Sequence, residues 1–298
     1  MLEGAKVSRV STLLATVLCL FTAAAAAQAQ PSGRSPESVR LYVLEGGVLA
    51  SDPARYHMTN DQVQSTALSV AAYLIVHPKG VLLWDAGAVP DNERSSKPAG
   101  AKQHLTLADG QGRDVTLGPP LLEQIRASGY SPGDVTYLVL SHYHWDHTAN
   151  ANAFADATWL ARKIERDAMF APNATGSIRP STYAALENSH TEYITADEYD
   201  VFGDGKVIIK YAPGHTPGHQ VLYVQLEHTG PVVLSGDLYH YPEERALGKL
   251  PTFEFDAEQT KASRAEVESF LKRKRATLWI QHDLVAHRKL KKAPEYYD

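Results

Sequence analysis

The order of elements along the chain predicts an α+β fold, a sandwich of two mixed β-sheets with helices on the outer faces (αββα). Apolar, β-branched runs bounded by turn residues predict strands in both halves of the chain. Between these halves, the run 141–147 concentrates histidine and aspartate directly after a predicted strand. A helical pattern over 256–275 and a last strand over 276–280 follow, shortly before His282. No sequence period suggests a repeat, so we expect one domain over residues 30–298.

The remaining elements follow from local patterns of apolar and turn-forming residues. Strands are predicted over 41–44, 68–76, 80–84, 135–141, 158–161, 207–211, 220–226 and 231–235, and shorter helices over 119–128 and 164–170. Residues 88–118 lack periodicity and are rich in proline, glycine, serine and charge. A structureless loop of this length is usually a lid, a binding loop or disordered, so we expect it to cover the site or a subunit contact, with a mobile surface loop as the alternative. Residues 171–200 are irregular, and no element is assigned to them.

The N-terminus has the composition of a secretory signal peptide over residues 1–29. Lys6 and Arg9 form a basic n-region, residues 10–26 are apolar or small, and Ala27-Gln28-Ala29 forms an A-x-A cleavage signal. Gln30 is then the first mature residue, and we expect a periplasmic or secreted protein. An N-terminal membrane anchor is the alternative. Because the apolar core is short and no stop-transfer charges follow it, we expect no stable membrane anchor after cleavage.

Composition excludes several classes of protein. Cys19, the only cysteine, lies in the predicted signal peptide, so the mature chain has no disulfide, thiolate zinc site or cysteine nucleophile. The formal net charge of -5 argues against binding to nucleic acid, whose phosphates are held by clustered lysine and arginine. The one basic cluster, 272–275, ends the predicted helix, where cations offset the helix dipole.

The run Ser141-His-Tyr-His-Trp-Asp-His147 contains the residues most suited to chemistry. Imidazole and carboxylate groups are ligands for divalent zinc, iron, cobalt and manganese. His142, His144, Asp146 and His147 leave the C-terminal end of a predicted buried strand, where a rigid scaffold can fix them. A chance run of surface or core histidines does not explain four ligand-type residues within six positions.

This H-x-H-x-D-H pattern resembles the metallo-β-lactamase-fold hydrolases, whose fold is an αββα sandwich. Further stretches are similar to the N-acyl-homoserine lactonase branch of that superfamily. They are Leu41-Tyr-Val-Leu-Glu-Gly46, Leu82-Leu-Trp-Asp-Ala-Gly87, the Gly-Tyr-Ser-Pro-Gly run 129–133 and Asn150-Ala-Asn-Ala-Phe154. The similarity covers nearly all of the mature chain.

The resemblance implies a dinuclear metal centre. Its implied ligands are His142, His144 and His215 for one metal, Asp146, His147 and His282 for the other, and Asp237 as the carboxylate that bridges both. Zinc is the first expectation, and the same ligands accept iron, cobalt or manganese. Asp85 is expected to orient a ligand imidazole from behind, a role compatible with capping the turn before Gly87. His219 is expected to pack beside the centre or to support it.

The resemblance also implies an activity, the opening of the lactone ring of N-acyl-homoserine lactones. A hydroxide that bridges the metals would attack the carbonyl, and Asp146 would pass a proton to the leaving oxygen. An organophosphate or aryl-ester hydrolase with the same centre is an alternative, and a non-catalytic periplasmic metal-binding protein is an alternative of another class. The expected partner is a small lactone or ester, and a homodimer would be consistent with the family.

One position departs from the family pattern. Lactonases of this type usually place a tyrosine three residues after the bridging aspartate, and here that position is His240, next to Tyr239. Tyr239 or His240 could donate a hydrogen bond to the developing oxyanion, with packing at the strand end as the alternative. Trp145 is expected to point toward the pocket and to line a groove for an acyl chain, with core packing as the alternative.

Overall fold

The computed structural model describes residues 1, 2, 4, 36–94, 96–174 and 176–298. The predicted signal peptide, residues 1–29, lies outside the described residues except for its positions 1, 2 and 4, and it stays a prediction. Among the described residues, no helix has the length and apolar composition needed to cross a membrane.

Most of the predicted strands and helices are present near their predicted positions, although β1 extends to Ala50, beyond the predicted 41–44. The strands are β1 (Arg40–Ala50), β2 (Ala67–His77), β3 (Gly80–Trp84), β4 (Lys102–Thr106), β5 (Gly112–Thr116), β6 (Tyr137–Val139), β7 (Thr158–Ala161), β8 (Thr191–Tyr193), β9 (Glu198–Asp200), β10 (Val207–Tyr211), β11 (Gln220–Leu226), β12 (Gly230–Leu234) and β13 (Thr277–Trp279). The helices are α1 (Leu121–Ala127), α2 (Trp145–Thr148), α3 (Lys163–Met169), α4 (Pro242–Leu247), α5 (Ala257–Lys274) and α6 (Leu284–His287).

The strands form two mixed sheets, which confirms the αββα sandwich. Within the described residues the first sheet has the order β4-β5-β1-β2-β3-β6-β7-β8 and the second the order β13-β12-β11-β10-β9. Strand β2 shows how the layers form, because its side chains alternate between two cores. Tyr73 and Ile75 pack between the two sheets, with residues of β10, β11 and β12. Leu74 packs on the outer face of the first sheet, together with Leu121 and Ile125 of α1.

The second sheet is covered in the same way by α5. Phe270 and Leu271 of α5 pack on the outer face of β10, β11 and β12, against Val221 and Val233. Asp256 starts this helix, since its carboxylate accepts hydrogen bonds from the backbone N–H groups of Glu258 and Gln259. The sandwich is therefore buried on both outer faces, and its strand ends are free to carry a site.

Strand direction explains why distant segments meet. β3 and β6 run parallel in the first sheet, and β12 and β13 run parallel in the second. Parallel strands end at the same edge of a sheet, so the residues after β3 and β6 are neighbours. The same holds for the residues that follow β12 and β13. The four segments that carry Asp85, the 141–147 run, Asp237 and His282 begin at these strand ends.

The prediction of a structureless loop over 88–118 is wrong. This segment contains the antiparallel hairpin of β4 and β5, which joins the edge of the first sheet through β1. Leu105 and Val115 are its buried anchors, in a core that also contains Trp145. Most other residues of the two strands are polar and exposed, which hides their strand character in the sequence. Residues 171–200 contain the short strands β8 and β9, and α4 and α6 were not predicted.

Candidate metal centre

The seven implied ligands converge at one edge of the sandwich. Ligand atoms within 4.8 Å of one another define two groups, His142, His144, His215 and Asp237 in one, and Asp146, His147 and His282 in the other. We call His142, His144 and His215 the first half-site. We call Asp146, His147 and His282 the second half-site. Every ligand expected from the resemblance is present, although the 141–147 run supplies only four of them.

Asp237 lies between the two half-sites. Its Oδ2 is 3.5 Å from His142 Nε2 and 3.3 Å from His215 Nε2. Its Oδ1 is 3.0 Å from both His147 Nε2 and His282 Nε2. One carboxylate thus presents one oxygen to each half-site, the arrangement that a bridging ligand requires.

The buried atoms of this centre fit metal ions. His142 Nε2, His147 Nε2 and Asp237 Oδ1 are buried and make no hydrogen bond within the described residues, even where they lie 3.0 Å apart. Buried polar atoms without partners are rare, and a bound cation would satisfy these. Burial also lowers the pKa of His142 and His144 well below the usual value, so both imidazoles are neutral and keep a lone pair for a metal. The donor set of imidazole and carboxylate suits two divalent ions.

The second half-site is held from the strand ends of both sheets. Asp85 follows β3 with φ 59°, a left-handed conformation that a side chain rarely adopts. Its Oδ2 accepts hydrogen bonds from His147 Nδ1 at 2.9 Å and from Gln281 Nε2 at 2.8 Å, and its Oδ1 accepts one from the Ser141 backbone N–H at 2.6 Å. His282 Nδ1 donates to the Ser69 carbonyl at 2.6 Å. Asp85 therefore lies where the sequence predicted, behind a ligand imidazole.

The first half-site is held by carboxylates from outside the sheets. Glu254 Oε1 lies 3.2 Å from His215 Nδ1. Glu165 of α3 accepts hydrogen bonds from the backbone N–H of Tyr143 at 2.8 Å and of Gly218 at 2.6 Å, and from Thr216 Oγ1 at 2.8 Å. This carboxylate therefore ties the loop of His142 and His144 to the loop of His215.

His219 supports the bridging carboxylate rather than binding a metal. Its Nδ1 donates to the Ala212 carbonyl at 2.9 Å, and its Nε2 accepts from the Asp237 backbone N–H at 2.9 Å. Burial lowers its pKa to about 3, which keeps this neutral tautomer. A Cβ at Gly236, whose φ is 49°, would lie 2.7 Å from His219 Nε2, so the close approach requires glycine.

Comparison with known proteins identifies the family. A model of the "Metallo-beta-lactamase superfamily" matches residues 65–282. The chain is 32% identical over 263 residues to the N-acyl homoserine lactonase AttM of Rhizobium radiobacter, over 87% of this chain and 98% of that protein. It is 27% identical over 263 residues to an N-acyl homoserine lactonase of Bacillus sp, over 86% and 98%. The chain belongs to the metallo-beta-lactamase superfamily and, within it, to the N-acyl homoserine lactonase family.

Solved structures agree on the fold of this superfamily. A structure of an N-acyl homoserine lactone hydrolase with the product N-hexanoyl-L-homoserine bound at its metal centre superposes with a TM-score of 0.69 at 24% identity, over 87% of this chain and 99% of that one. The hydrolase AbOPH superposes with a TM-score of 0.58 at 18% identity, over 83% and 88%. Membership of the family makes the chain a metal-dependent hydrolase of the type that acts on ester bonds.

A cavity of about 270 Å³ opens onto the lactonase-family centre. Asp146, Asp237 and His282 of the centre line it, together with the apolar side chains of Leu49 and Leu68. Residues 112–114 of the β4–β5 hairpin also line it, so part of segment 88–118 lies at the site, one of the two positions predicted for it. Trp145 lines the cavity too and belongs at the same time to a buried core, while its role toward an acyl chain stays a prediction.

The structure separates the two residues proposed as oxyanion donors. His240 lines the cavity, and its Nε2 lies 3.2 Å from Asp237 Oδ2. Tyr239 points the other way, because consecutive residues of extended backbone face opposite sides, and its hydroxyl donates to Glu268 Oε1 at 3.3 Å. The prediction that Tyr239 could donate to an oxyanion is therefore wrong, and His240 alone keeps that position.

Some residues of the centre were missed in the sequence. Gln281 had a usable signal, since it directly precedes a ligand at the end of β13. Glu165 and Glu254 had none, because each lies in no motif and the ligand loops that they contact are tens of residues away. Phe253 had none either, although its ring lines the cavity between Arg55 and the centre and lies 5.9 Å from the ring of His215.

Proposed function

We propose that this protein hydrolyses the lactone ring of N-acyl homoserine lactones at a dinuclear metal centre. The observation that carries the proposal is the complete ligand set, arranged around the two oxygens of Asp237, which lines an open cavity. Family membership supports it, because the relatives that span almost the whole chain are named for this activity.

The residues of the centre would have separate roles in metal binding, proton transfer and substrate binding. The first half-site would hold one ion, the second half-site the other, and Asp237 would contact both. Two divalent ions held there would supply Lewis acidity, which lowers the pKa of water and polarises an ester carbonyl. Asp146 lines the cavity with Oδ2 3.9 Å from His147 Nε2 and 3.8 Å from His282 Nε2, where its carboxylate can carry a proton to the leaving oxygen. His240 presents its imidazole to the same space and would hydrogen-bond the substrate.

One observation favours a second candidate, the hydrolysis of aryl esters or aryl phosphotriesters. The ring of Tyr56 lies 4.9 Å from the ring of His240 and 5.5 Å from that of Phe253, and the three together form one wall of the cavity. Such an aromatic wall fits a flat aryl leaving group.

Initial-rate hydrolysis of a substrate panel tests both candidates. The panel contains short- and long-chain homoserine lactones, an aryl phosphotriester, an aryl ester and a β-lactam, each with chelator and with added metal. Lactone turnover that is far above the others and is lost with chelator is the expected result. Fast aryl-ester or phosphotriester turnover with slow lactone turnover would establish the second candidate instead. Two bound metals without turnover of any substrate would contradict both.

We further propose that the protein is exported, on the strength of the predicted signal peptide alone. Expression of the full chain with fractionation, followed by N-terminal sequencing, tests this. We expect a periplasmic or secreted product that begins at Gln30. A product that retains residues 1–29 in the cytoplasm would contradict export and leave the proposed activity unaffected.

A further inference from the structure

Glu254 is a buried carboxylate at the centre that none of the ligand motifs includes. It lies in the irregular segment between α4 and α5, and its side chain is only 2% exposed. Its Oε1 is 3.2 Å from His215 Nδ1, and its Oε2 accepts a hydrogen bond from Thr260 Oγ1 at 2.5 Å. Both carboxylate oxygens therefore contact a partner, and one of these partners is the imidazole of a metal ligand.

The contact with Glu254 determines which nitrogen of His215 faces the centre. With Nδ1 toward Glu254, the other nitrogen, Nε2, lies 3.3 Å from Asp237 Oδ2 and 3.0 Å from His144 Nδ1. A histidine that donates one ring N–H to a carboxylate keeps a lone pair on the other nitrogen for a metal. The geometry thus selects the tautomer of His215 that can bind an ion.

The segment that carries Glu254 is itself fixed to the His215 loop and to the start of α5. The backbone N–H of Phe255 donates to the His215 carbonyl at 3.3 Å, and that of Asp256 donates to the Gly214 carbonyl at 2.8 Å. Asp256 caps α5, which also carries Thr260. A Cβ at Gly214, whose φ is 132°, would clash with the Thr260 backbone nitrogen, so the His215 loop is packed closely against the start of α5.

Comparison with the other ligands indicates what Glu254 does. His147 donates to the carboxylate of Asp85, and His282 donates to the Ser69 carbonyl. Each imidazole of the second half-site therefore has a fixed acceptor behind it. In the first half-site, Glu254 supplies this acceptor for His215. The residue directly before Glu254, Phe253, lines the substrate cavity.

We infer that Glu254 is a positioning residue for the first half-site, which orients His215 and joins this ligand to the cavity wall. The inference rests on the proposed metal centre but does not depend on the substrate. Second-sphere acceptors of this kind typically change metal affinity by about 10–100-fold when they are removed.

Cobalt(II) titration of the chelator-treated, full-length protein tests the inference, with visible absorption and equilibrium binding as readouts. Glu254→Ala should weaken binding at one of the two sites by about 10–100-fold and change the spectrum of that ion. Glu254→Gln should restore part of the affinity, because an amide oxygen can still accept from Nδ1. Thr260→Val should have a smaller effect of the same kind, since it leaves the carboxylate but removes one of its contacts. Glu266→Ala, at an exposed position on α5, is the matched control and should titrate as the wild type does.

A His282→Ala background makes the assignment to one half-site explicit. This substitution removes a ligand of the second half-site, so the remaining isotherm reports the first half-site. In this background, Glu254→Ala should weaken cobalt(II) binding at the first half-site by the same factor. Unchanged binding in Glu254→Ala, or equal weakening of both ions, would overturn the inference. Because metal binding is measured without substrate, a protein that fails to hydrolyse lactones would refute the proposed function and leave this result standing.

Discussion

The two half-sites are built into the molecule in different ways. The second half-site is held from the strand ends, by Asp85 after β3, the Ser69 carbonyl within β2 and Gln281 after β13. The first half-site lies on two loops, which are joined by Glu165 of α3 and Glu254 of the segment before α5. The sheets therefore fix the second half-site directly. In the first half-site only His142 has such a contact, with Ser141 Oγ 3.0 Å from its Nδ1, and the other contacts come from side chains of peripheral elements.

The half-sites also differ in charge. Burial lowers the pKa of His142 and of His144 well below the usual value. Burial also acts to lower the pKa of His147, but the carboxylates of Asp237, Asp85 and Asp146 outweigh it, and that pKa is raised well above the usual value. The metal-free second half-site is thus rich in carboxylate and attracts a cation strongly. In the first half-site two imidazoles are neutral, whereas at His215 burial acts to lower the pKa but the hydrogen bonds with Asp237 and Glu254 outweigh it and raise that pKa.

The largest effect is expected at the residue that both halves share. Asp237→Ala removes an oxygen from each half-site. Four histidine nitrogens lie 3.0–3.5 Å from that carboxylate and would lose it. We expect both ions to bind more weakly and turnover to fall by more than about 10³-fold. Metal analysis after gel filtration and initial rates measure this. Two tightly bound ions in the variant would show that Asp237 does not bridge.

Substitution of Asp146 separates catalysis from metal binding. Asp146→Asn keeps an oxygen near His147 and His282 but cannot carry a proton, so turnover should fall by about 10²-fold or more with the metal content nearly unchanged. The ratio of turnover to bound metal is the quantity to measure. A loss of turnover that only follows a loss of metal would show that Asp146 acts as a ligand alone.

Asp85→Ala tests whether the second half-site depends on its support from the strand ends. The carboxylate accepts from His147, Gln281 and the Ser141 backbone, so its removal should weaken the second ion by about 10–100-fold. In cobalt titrations the spectrum of the first ion should remain. The matched comparison is Glu254→Ala, for which the opposite ion should weaken. If both variants weakened the same ion, the two half-sites would not be supported separately.

The parts that the sequence predicted well depend on local patterns. Strands such as β2, β3, β10 and β11 were predicted to within one residue, because buried apolar runs and flanking turn residues mark them. The 141–147 run marks four ligands in the same way. The remaining ligands, His215, Asp237 and His282, were assigned through the family resemblance, since each stands alone in its own segment.

The parts that were missed depend on contacts between distant residues. The hairpin of β4 and β5 has polar, exposed strands and only a few buried anchors, so it resembles a loop. Glu254 lies 39 residues from His215, and Glu165 lies 51 residues from Thr216. No local pattern distinguishes such glutamates from those on the surface, and only the folded chain shows what they hold.

The smallest effect is expected from the protonation of Glu165, which sharpens the contrast between the half-sites. Burial raises the pKa of Glu165 from 4.5 to about 7, although its contacts with Thr216, Gly218 and Tyr143 oppose the shift. The folded metal-free protein therefore holds this proton between pH 4.5 and 7 while the unfolded chain has lost it. Stability should consequently fall as pH rises through this window, by about 1 kcal/mol per pH unit from this group. Urea unfolding of metal-free protein at pH 5, 6 and 7 measures the slope, and Glu165→Gln, which cannot titrate, should remove this contribution. An identical slope in both proteins would show that Glu165 is already ionised when it joins the two loops.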